Sequence, residues 1–75
     1  MVAIGIIGSG AWGTTLALML AKKGIASTLW EHQRTRAQET QQQRENTLFL
    51  PGYHLPDSIT ITSHIAEAVI GKDLL

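Results

Sequence analysis

The chain has 75 residues, of which 44% are hydrophobic, and its six basic and six acidic side chains leave no net charge. The balanced charge argues against a nucleic-acid partner, and the absence of cysteine excludes disulfides, thiolate metal sites and cysteine nucleophiles. No basic residue precedes the first apolar run and no apolar run is long enough for a membrane span, so the composition predicts a cytoplasmic protein without a secretory signal.

The first predicted element is a buried β-strand over residues 2–7, which leads into a glycine-rich turn. Gly8, Gly10 and Gly13 fit the pattern G-x-G-x-x-G. In a dinucleotide-binding βαβ unit the first glycine permits a tight turn, the second lets a pyrophosphate approach the backbone, and the third lets the helix pack closely on the strand. The phosphates then rest on the free N–H groups at the start of that helix. The sequence therefore predicts a phosphate cradle here.

The surroundings of these glycines decide how much weight their spacing carries. The motif requires a strand before it, a helix after it, and an acidic residue about 20 positions further on. Residues 11–23 predict a helix that is apolar almost all round and hence buried on more than one side, and Gly24 is its expected stop. Glu31 lies 18 positions past Gly13. All three conditions are met, which favours a nucleotide-binding turn over an ordinary connection.

The middle of the chain predicts one more strand and two segments of less certain structure. Residues 27–30 predict a second strand, parallel to the first through a right-handed crossover. Residues 32–46 are polar apart from Ala37, and without an apolar stripe they fit either a solvated helix or a mobile connection. Residues 47–56 contain two prolines and a glycine, so they predict an irregular loop whose apolar side chains pack against the rest of the protein.

The last part of the chain predicts a strand, a short helix and the start of another strand. Residues 59–62 alternate as a third strand, and Ser63 is the predicted N-cap of a helix that runs to about Ile70. The residues expected to face inward are Ile65, Ala68 and Val69. Residues 74–75 look like the first residues of a fourth strand.

Together these elements predict an α/β fold, the Rossmann-type βαβαβ half of a doubly wound parallel sheet. The expected strand order is 3-2-1, with the fourth strand on the other side of strand one. Because strands usually have about five or six residues, a strand that starts at residue 74 is expected to be cut short. We therefore expect residues 1–75 to be part of a longer protein, truncated at the start of strand four.

Several motifs follow one another in a distinctive order. The turn GSGAWGTTLA is followed by KKG, TLWEH, RENTLFLPGYHLP and, after a strand and a helix, GKDLL. In this order they resemble the N-terminal part of bacterial NAD(P)-dependent glycerol-3-phosphate dehydrogenase over nearly the whole chain. The most specific pieces are Trp12 inside the glycine motif, the Leu-Trp pair that ends strand two, and the loop Leu-Pro-Gly-x-x-Leu-Pro.

The resemblance implies an activity for the whole protein. Members of this family interconvert sn-glycerol 3-phosphate, a small-molecule substrate, and dihydroxyacetone phosphate by hydride exchange with NAD(P), in glycerophospholipid biosynthesis. The resemblance also implies that residues 1–75 are the N-terminal part of the NAD(P)-binding domain. The catalytic lysine and the substrate-binding helical domain would follow Leu75, so no catalytic residue and no metal ligand is expected in this chain. The oligomeric state is left open.

The resemblance also implies which residues contact the cofactor. Ala11 and Trp12 would do so beside the three glycines, His32 would contact the adenosine end, and Phe49 would lie near the cofactor. With the acidic residue after strand two, the predicted cofactor-binding set is Gly8, Gly10, Ala11, Trp12, Gly13, Glu31, His32 and Phe49.

Glu31 departs from the family pattern, in which a small residue and then a basic one often follow the strand-two tryptophan. An acidic side chain at this position accepts hydrogen bonds from the ribose hydroxyls and repels a 2′-phosphate, which favours NAD. His32, Arg34 and Arg36 would instead bind that phosphate if Glu31 turned away. The sequence leaves the choice between NAD and NADP open.

The candidate residues also have plainer interpretations. Trp30 is expected to be a core aromatic, whereas Trp12 is expected near the cofactor; His32 could be an exposed polar residue and Phe49 a loop anchor. His54 and His64 are expected on the surface without a metal or catalytic partner. Two rival functions remain: a dehydrogenase of the 6-phosphogluconate or ketopantoate type, which the Leu-Pro-Gly loop argues against, and a non-catalytic nucleotide-binding module.

Overall fold

The computed structural model describes residues 3–75, which form a parallel β-sheet flanked by helices. The strands are β1 (Ile4–Ile7), β2 (Ser27–Trp30), β3 (Ile59–Thr62) and β4 (Asp73–Leu74), and the helices are α1 (Ala11–Lys22), α2 (Arg34–Gln43) and α3 (Ile65–Val69). The predicted α/β class is confirmed. The predicted strand start at Val2 lies outside the described residues.

The sheet has the predicted topology. Its strand order is β3-β2-β1-β4, and all neighbouring strands are parallel. Ile4 of β1 lies opposite Ser27 of β2 on one side and opposite Asp73 of β4 on the other, so β4 begins one residue earlier than predicted. Because the strands are parallel, their carboxyl ends meet along one edge of the sheet, and the connections that leave β1 and β2 start side by side there.

Helix α1 packs on the sheet through small side chains. Its buried residues are Gly13, Thr14 and Ala17. A Cβ atom on Gly13 would overlap the carbonyl oxygen of Gly8, so only glycine permits this approach. The larger side chains of Leu16, Leu18 and Leu20 are half-buried against the same core, whereas Trp12 is 74% exposed. Within residues 3–75, the expectation that this helix is buried on more than one side is confirmed only in part, because Trp12 and Met19 are exposed. Helix α1 also ends one residue early, at Lys22.

Helix α3 is shorter than predicted. Its N-cap is His64, not Ser63, and Ile65, expected to face inward, is about half exposed. Two hydrogen bonds keep the chain extended up to residue 64: the Trp30 indole N–H donates to the Ser63 carbonyl at 3.2 Å, and the His64 N–H donates to the Thr62 hydroxyl at 3.1 Å. These contacts delay the start of the helix beyond the position that a serine cap predicts.

A backbone contact places α3 against the sheet. A Cβ atom on Gly5 would overlap the carbonyl oxygen of Ala68, the one buried residue of α3. Gly5 therefore lets this helix approach the middle of β1 as closely as Gly13 lets α1 approach the glycine turn. The need for glycine inside a strand is a feature that the sequence motif does not include.

The polar segment after β2 forms a helix. Of the two alternatives, the solvated helix is observed: α2 spans Arg34–Gln43, with only Ala37 and Thr40 buried. The Gln41 side-chain oxygen accepts the N–H of Ile61 in β3 at 2.9 Å. Polar contacts of this kind hold α2 to the sheet edge in place of an apolar stripe.

The loop after α2 is closed at its base by Arg44. This residue adopts the left-handed conformation, with φ of 55°, and its carbonyl accepts the Leu55 N–H at 2.7 Å. Its guanidinium donates to the carbonyls of Leu55 at 3.2 Å, Pro56 at 2.5 Å and Ile59 at 2.6 Å. Leu55 is fully buried, whereas other apolar residues of the loop remain exposed, so the prediction of a packed loop is confirmed only in part.

Candidate functional site

The glycine turn lies at the carboxyl end of β1, beside the end of β2. Gly8 has a φ of 110°, a conformation that favours glycine, and its N–H donates to the Trp30 carbonyl at 3.1 Å. Gly10 has an ordinary backbone conformation, yet a Cβ atom built on it would meet nothing within 4 Å. The backbone at Gly10 therefore faces open space, where a ligand can approach it closely.

The start of α1 borders this space and carries backbone donors that the helix itself does not use. The N–H groups of Ala11, Trp12 and Gly13 belong to the first helical turn and have no partner inside the helix. Gly10 provides no side-chain cap, and the first turn holds no acidic residue. Helix dipoles place partial positive charge at this end, so an anion such as a phosphate is favoured here. Gly8, Gly10, Trp12 and Gly13 contribute to the walls of a cavity of about 280 Å³.

Glu31 follows β2 and is turned into the protein. The residue is only 2% exposed. The Ser9 hydroxyl donates to Oε2, and the Gln33 N–H donates to Oε1 at 2.9 Å. Both carboxylate oxygens are therefore engaged by groups of the chain itself, and one of these groups belongs to the glycine turn.

The surroundings of Glu31 keep it ionised. Burial alone raises the pKa of the Glu31 carboxyl, but the Ser9 hydroxyl, the Gln33 N–H and the charges of Arg36 and His32 outweigh burial and lower that pKa below its ordinary value. Arg36 Nη1 lies 3.7 Å from Oε2, and His32 Nδ1 lies 3.2 Å from Oε1. The carboxylate is thus a fixed negative charge within a cluster of donors.

His32 and Phe49 are brought to the same edge of the sheet. The Arg36 guanidinium lies 5.3 Å from the centre of the Phe49 ring, a cation–π distance, while it also faces Glu31. The rings of His32 and Trp30 are 6.2 Å apart. Phe49, which comes from the loop after α2, is therefore connected through Arg36 to the end of β2.

Asn46 joins this loop to the glycine turn from inside the protein. Its side-chain amide donates to the Ser9 carbonyl at 2.6 Å and to the Thr14 hydroxyl at 2.8 Å. Ser9 and Asn46 were not candidates in the sequence. Ser9 sits inside the motif, and Asn46 is a polar residue at the start of an apolar loop, but neither position reveals that the two side chains are buried together.

The structure thus gathers all eight predicted cofactor-binding residues near the carboxyl ends of β1 and β2, and their role in binding stays a prediction. Within residues 3–75, Trp12 is 74% exposed beside the glycine turn and is not part of the core. His54 and His64 are exposed as predicted. Across residues 3–75, no three His, Cys, Asp or Glu side chains are grouped so that they could hold a metal ion. In the same range, no helix is long and apolar enough to cross a membrane.

Known proteins resemble this chain closely in sequence. Residues 3–75 match the family described as NAD-dependent glycerol-3-phosphate dehydrogenase N-terminus. A glycerol-3-phosphate dehydrogenase [NAD(P)+] from Geobacter metallireducens is 50% identical over 72 residues, and one from Geobacter sulfurreducens is 47% identical over the same length. Each comparison covers 96% of this chain and 22% of the relative, so the chain spans about a fifth of the length of these relatives.

Solved structures resemble the chain in fold as well. The glycerol-3-phosphate dehydrogenase of Coxiella burnetii superimposes with a TM-score of 0.90 at 34% identity, covering 96% of this chain and 22% of that one. The yeast enzyme from Saccharomyces cerevisiae gives a TM-score of 0.82 at 25% identity, covering 97% of this chain and 25% of that one. The order of motifs, the sheet topology and these matches agree, and the chain belongs to the family of NAD-dependent glycerol-3-phosphate dehydrogenases, whose N-terminal part it matches.

Proposed function

We propose that residues 1–75 are the N-terminal part of a dinucleotide-binding domain and hold the ADP portion of NAD(P). The observation that carries this proposal is the open space at Gly10, in front of a helix start without a side-chain cap. The residues present there fit a diphosphate: the Ala11, Trp12 and Gly13 N–H groups supply donors, and no side chain at Gly10 obstructs them.

The remaining predicted residues extend the site toward the adenosine end. His32 is exposed at the end of β2, and the partly exposed Phe49 ring is fixed by Arg36, so both can contact a ligand on that side. The predicted role of Glu31 as a ribose acceptor stays a prediction. Its burial and its bonds to Ser9 and Gln33 favour a supporting role. The exposed His32 and Arg34 and the half-buried Arg36 remain able to contact a 2′-phosphate, so the choice between NAD and NADP stays open.

For the whole protein we propose the activity named for its relatives, glycerol-3-phosphate dehydrogenase [NAD(P)+], with glycerol 3-phosphate as the small-molecule substrate. The nicotinamide supplies the hydride chemistry when it is bound. The contribution of this chain is to bind and orient the cofactor, and we assign no catalytic residue to it. A cytoplasmic location and the lack of a nucleic-acid partner stay predictions from composition.

The proposal is tested by Gly10→Ala in the full-length protein. We expect the alanine to fit the fold, because the backbone is ordinary and the space is open, and to block the approach of the diphosphate. The dissociation constants of NADH and NADPH, measured by titration calorimetry, should rise at least about tenfold for whichever cofactor binds. The melting temperature without ligand should stay close to that of the wild type.

Thr15→Ala is the matched control for this measurement. Thr15 lies on the same helix, and its hydroxyl donates only to the Ala11 carbonyl, at 2.7 Å, behind the turn. We expect this variant to bind the cofactor like the wild type. If Gly10→Ala also binds normally, the diphosphate does not pass over Gly10; if the wild type binds neither cofactor, the proposed function is wrong.

A further inference from the structure

Asn46 is a buried residue whose hydrogen bonds point in two directions. It is 2% exposed, and its Nδ2 donates to the Ser9 carbonyl and the Thr14 hydroxyl. On the other side, Oδ1 accepts the Phe49 N–H at 3.4 Å, and the Asn46 carbonyl accepts the Leu50 N–H at 2.8 Å. One residue therefore connects the glycine turn with the segment that carries Phe49.

Ser9 is the point on which these contacts converge. It lies between Gly8 and Gly10, and its hydroxyl is held by Glu31. Its carbonyl accepts hydrogen bonds from Asn46 at 2.6 Å and from the Thr14 hydroxyl at 3.2 Å. The side chain and the carbonyl of Ser9 are therefore both held by hydrogen bonds. Because this carbonyl belongs to the peptide unit between Ser9 and Gly10, these bonds orient the backbone that enters α1.

The loop is closed by several contacts besides those of Asn46. Arg44 binds three carbonyls at its base, Leu55 anchors it in the core, and the Glu45 carboxylate accepts the Gly52 N–H at 3.1 Å across its middle. The side-chain donors of Asn46 are directed to the glycine turn instead. Their position indicates a role in the geometry between the loop and the turn.

We propose that Asn46 is a positioning residue that holds the Phe49 segment and the glycine turn in one fixed arrangement for the bound cofactor. This inference rests on the proposed function. Asparagine suits the task because its neutral amide supplies two donors and an acceptor at once, whereas a carboxylate in the same place could only accept.

The test is Asn46→Asp in the full-length protein. Aspartate has the same shape and can still accept the Phe49 N–H, but it cannot donate to Ser9 or Thr14. We expect the NADH dissociation constant of the folded protein, measured by calorimetry, to rise about tenfold or more, because a preorganised site loses affinity when its parts move independently. Thr14→Val removes the hydrogen bond that Asn46 donates to Thr14, together with the one that Thr14 donates to the Ser9 carbonyl. It should raise the NADH dissociation constant about threefold, even if the aspartate variant does not fold.

Glu45→Ala is the matched control. It removes a hydrogen bond within the same loop but none to the glycine turn, so it should leave the NADH dissociation constant unchanged. In a Phe49→Ala background we expect Asn46→Asp and Thr14→Val to have smaller effects, since a positioning role acts partly through Phe49.

The outcomes separate the inference from the proposed function. If the wild type binds neither NADH nor NADPH, the proposed function and the inference about Asn46 are both wrong. If the wild type binds but Asn46→Asp and Thr14→Val lower only the melting temperature and leave the dissociation constant unchanged, Asn46 is merely structural and the inference alone is overturned. The inference is also contradicted if Asn46→Asp and Thr14→Val raise the NADH dissociation constant equally in the wild type and in the Phe49→Ala background.

Discussion

At the scale of single residues, Glu31 shows why spacing and orientation carry different information. The 18 positions from Gly13 place an acidic residue at the end of β2, which the sequence predicts. The direction of its side chain depends on the Gln33 N–H, two residues away, and on the Ser9 hydroxyl, which becomes a neighbour only when the chain has folded. The motif therefore predicts the position of the carboxylate, whereas its burial could not be derived from the sequence.

The lowered pKa of Glu31 predicts a pH dependence of stability. A carboxyl whose pKa is lower in the folded than in the unfolded protein stabilises the fold above its unfolded pKa, and this contribution is lost as the pH falls through its folded value. We expect Glu31→Gln to lower the free energy of unfolding by about 1–2 kcal/mol at pH 7. The difference between the wild type and the variant should shrink below pH 4.5, the ordinary value for glutamate.

Urea unfolding of both proteins between pH 7 and pH 3 checks this prediction, since the comparison cancels the contributions of all other carboxyls. A difference that stays constant over the whole range would mean that the Ser9 and Gln33 bonds do not depend on the charge of Glu31. An effect of the substitution on NADH but not on NADPH affinity would instead support the ribose role.

At the scale of elements, α2 marks the limit of prediction from pattern. Helices are recognised by an apolar stripe, and this segment has only Ala37. It is held by contacts distant in sequence, such as Gln41 with Ile61 of β3. The strands of the sheet, by contrast, were predictable because their apolar and β-branched residues carry the pattern themselves. Ser63 shows the opposite case, in which a favourable capping residue predicts a helix start that is not observed. The hydrogen bond from the Trp30 indole to the Ser63 carbonyl keeps this residue extended.

The end of α2 yields a prediction about the loop that follows. Arg44→Ala removes the three hydrogen bonds that close the loop and leaves alanine in the left-handed conformation. We expect the free energy of unfolding to fall by about 2–3 kcal/mol. The amides of residues 47–54 should exchange hydrogen faster, which mass spectrometry of the exchanged protein measures.

Arg34→Ala serves as the control, because Arg34 is an exposed residue at the other end of the same helix. It should change stability by less than about 0.5 kcal/mol. Equal effects of the two substitutions would show that the loss of positive charge matters more than the three carbonyl contacts.

At the scale of the whole molecule, the topology was the most predictable feature. Parallel strands joined by right-handed crossovers leave few arrangements, so once β1, α1 and β2 are recognised the order β3-β2-β1-β4 follows. The close approach of α3 to Gly5 did not follow, because a strand with one glycine reads like any other apolar strand. Sequence patterns predict which elements neighbour each other better than how closely they pack.

Because the proposed site combines β1, β2, α1 and the loop after α2, cofactor binding should stabilise the full-length protein as a unit. A ligand that binds only the folded state at 100 times its dissociation constant adds about 2.7 kcal/mol. We therefore expect the melting temperature, followed by calorimetry, to rise with NADH or NADPH concentration, and Gly10→Ala to reduce that rise. A melting temperature that is independent of both cofactors would contradict binding to the folded protein.

The outer edge of β3 is occupied by polar groups of the same chain. The Ile61 N–H is bound by Gln41, the Ile59 carbonyl by Arg44, and the Ile59 N–H by the Pro56 carbonyl at 3.0 Å. An exposed strand edge is a template on which another chain can add a strand and begin to aggregate. A strand from another chain would first have to break these internal hydrogen bonds. Helix α2 and the loop after it therefore also protect the protein against edge-to-edge association on this side.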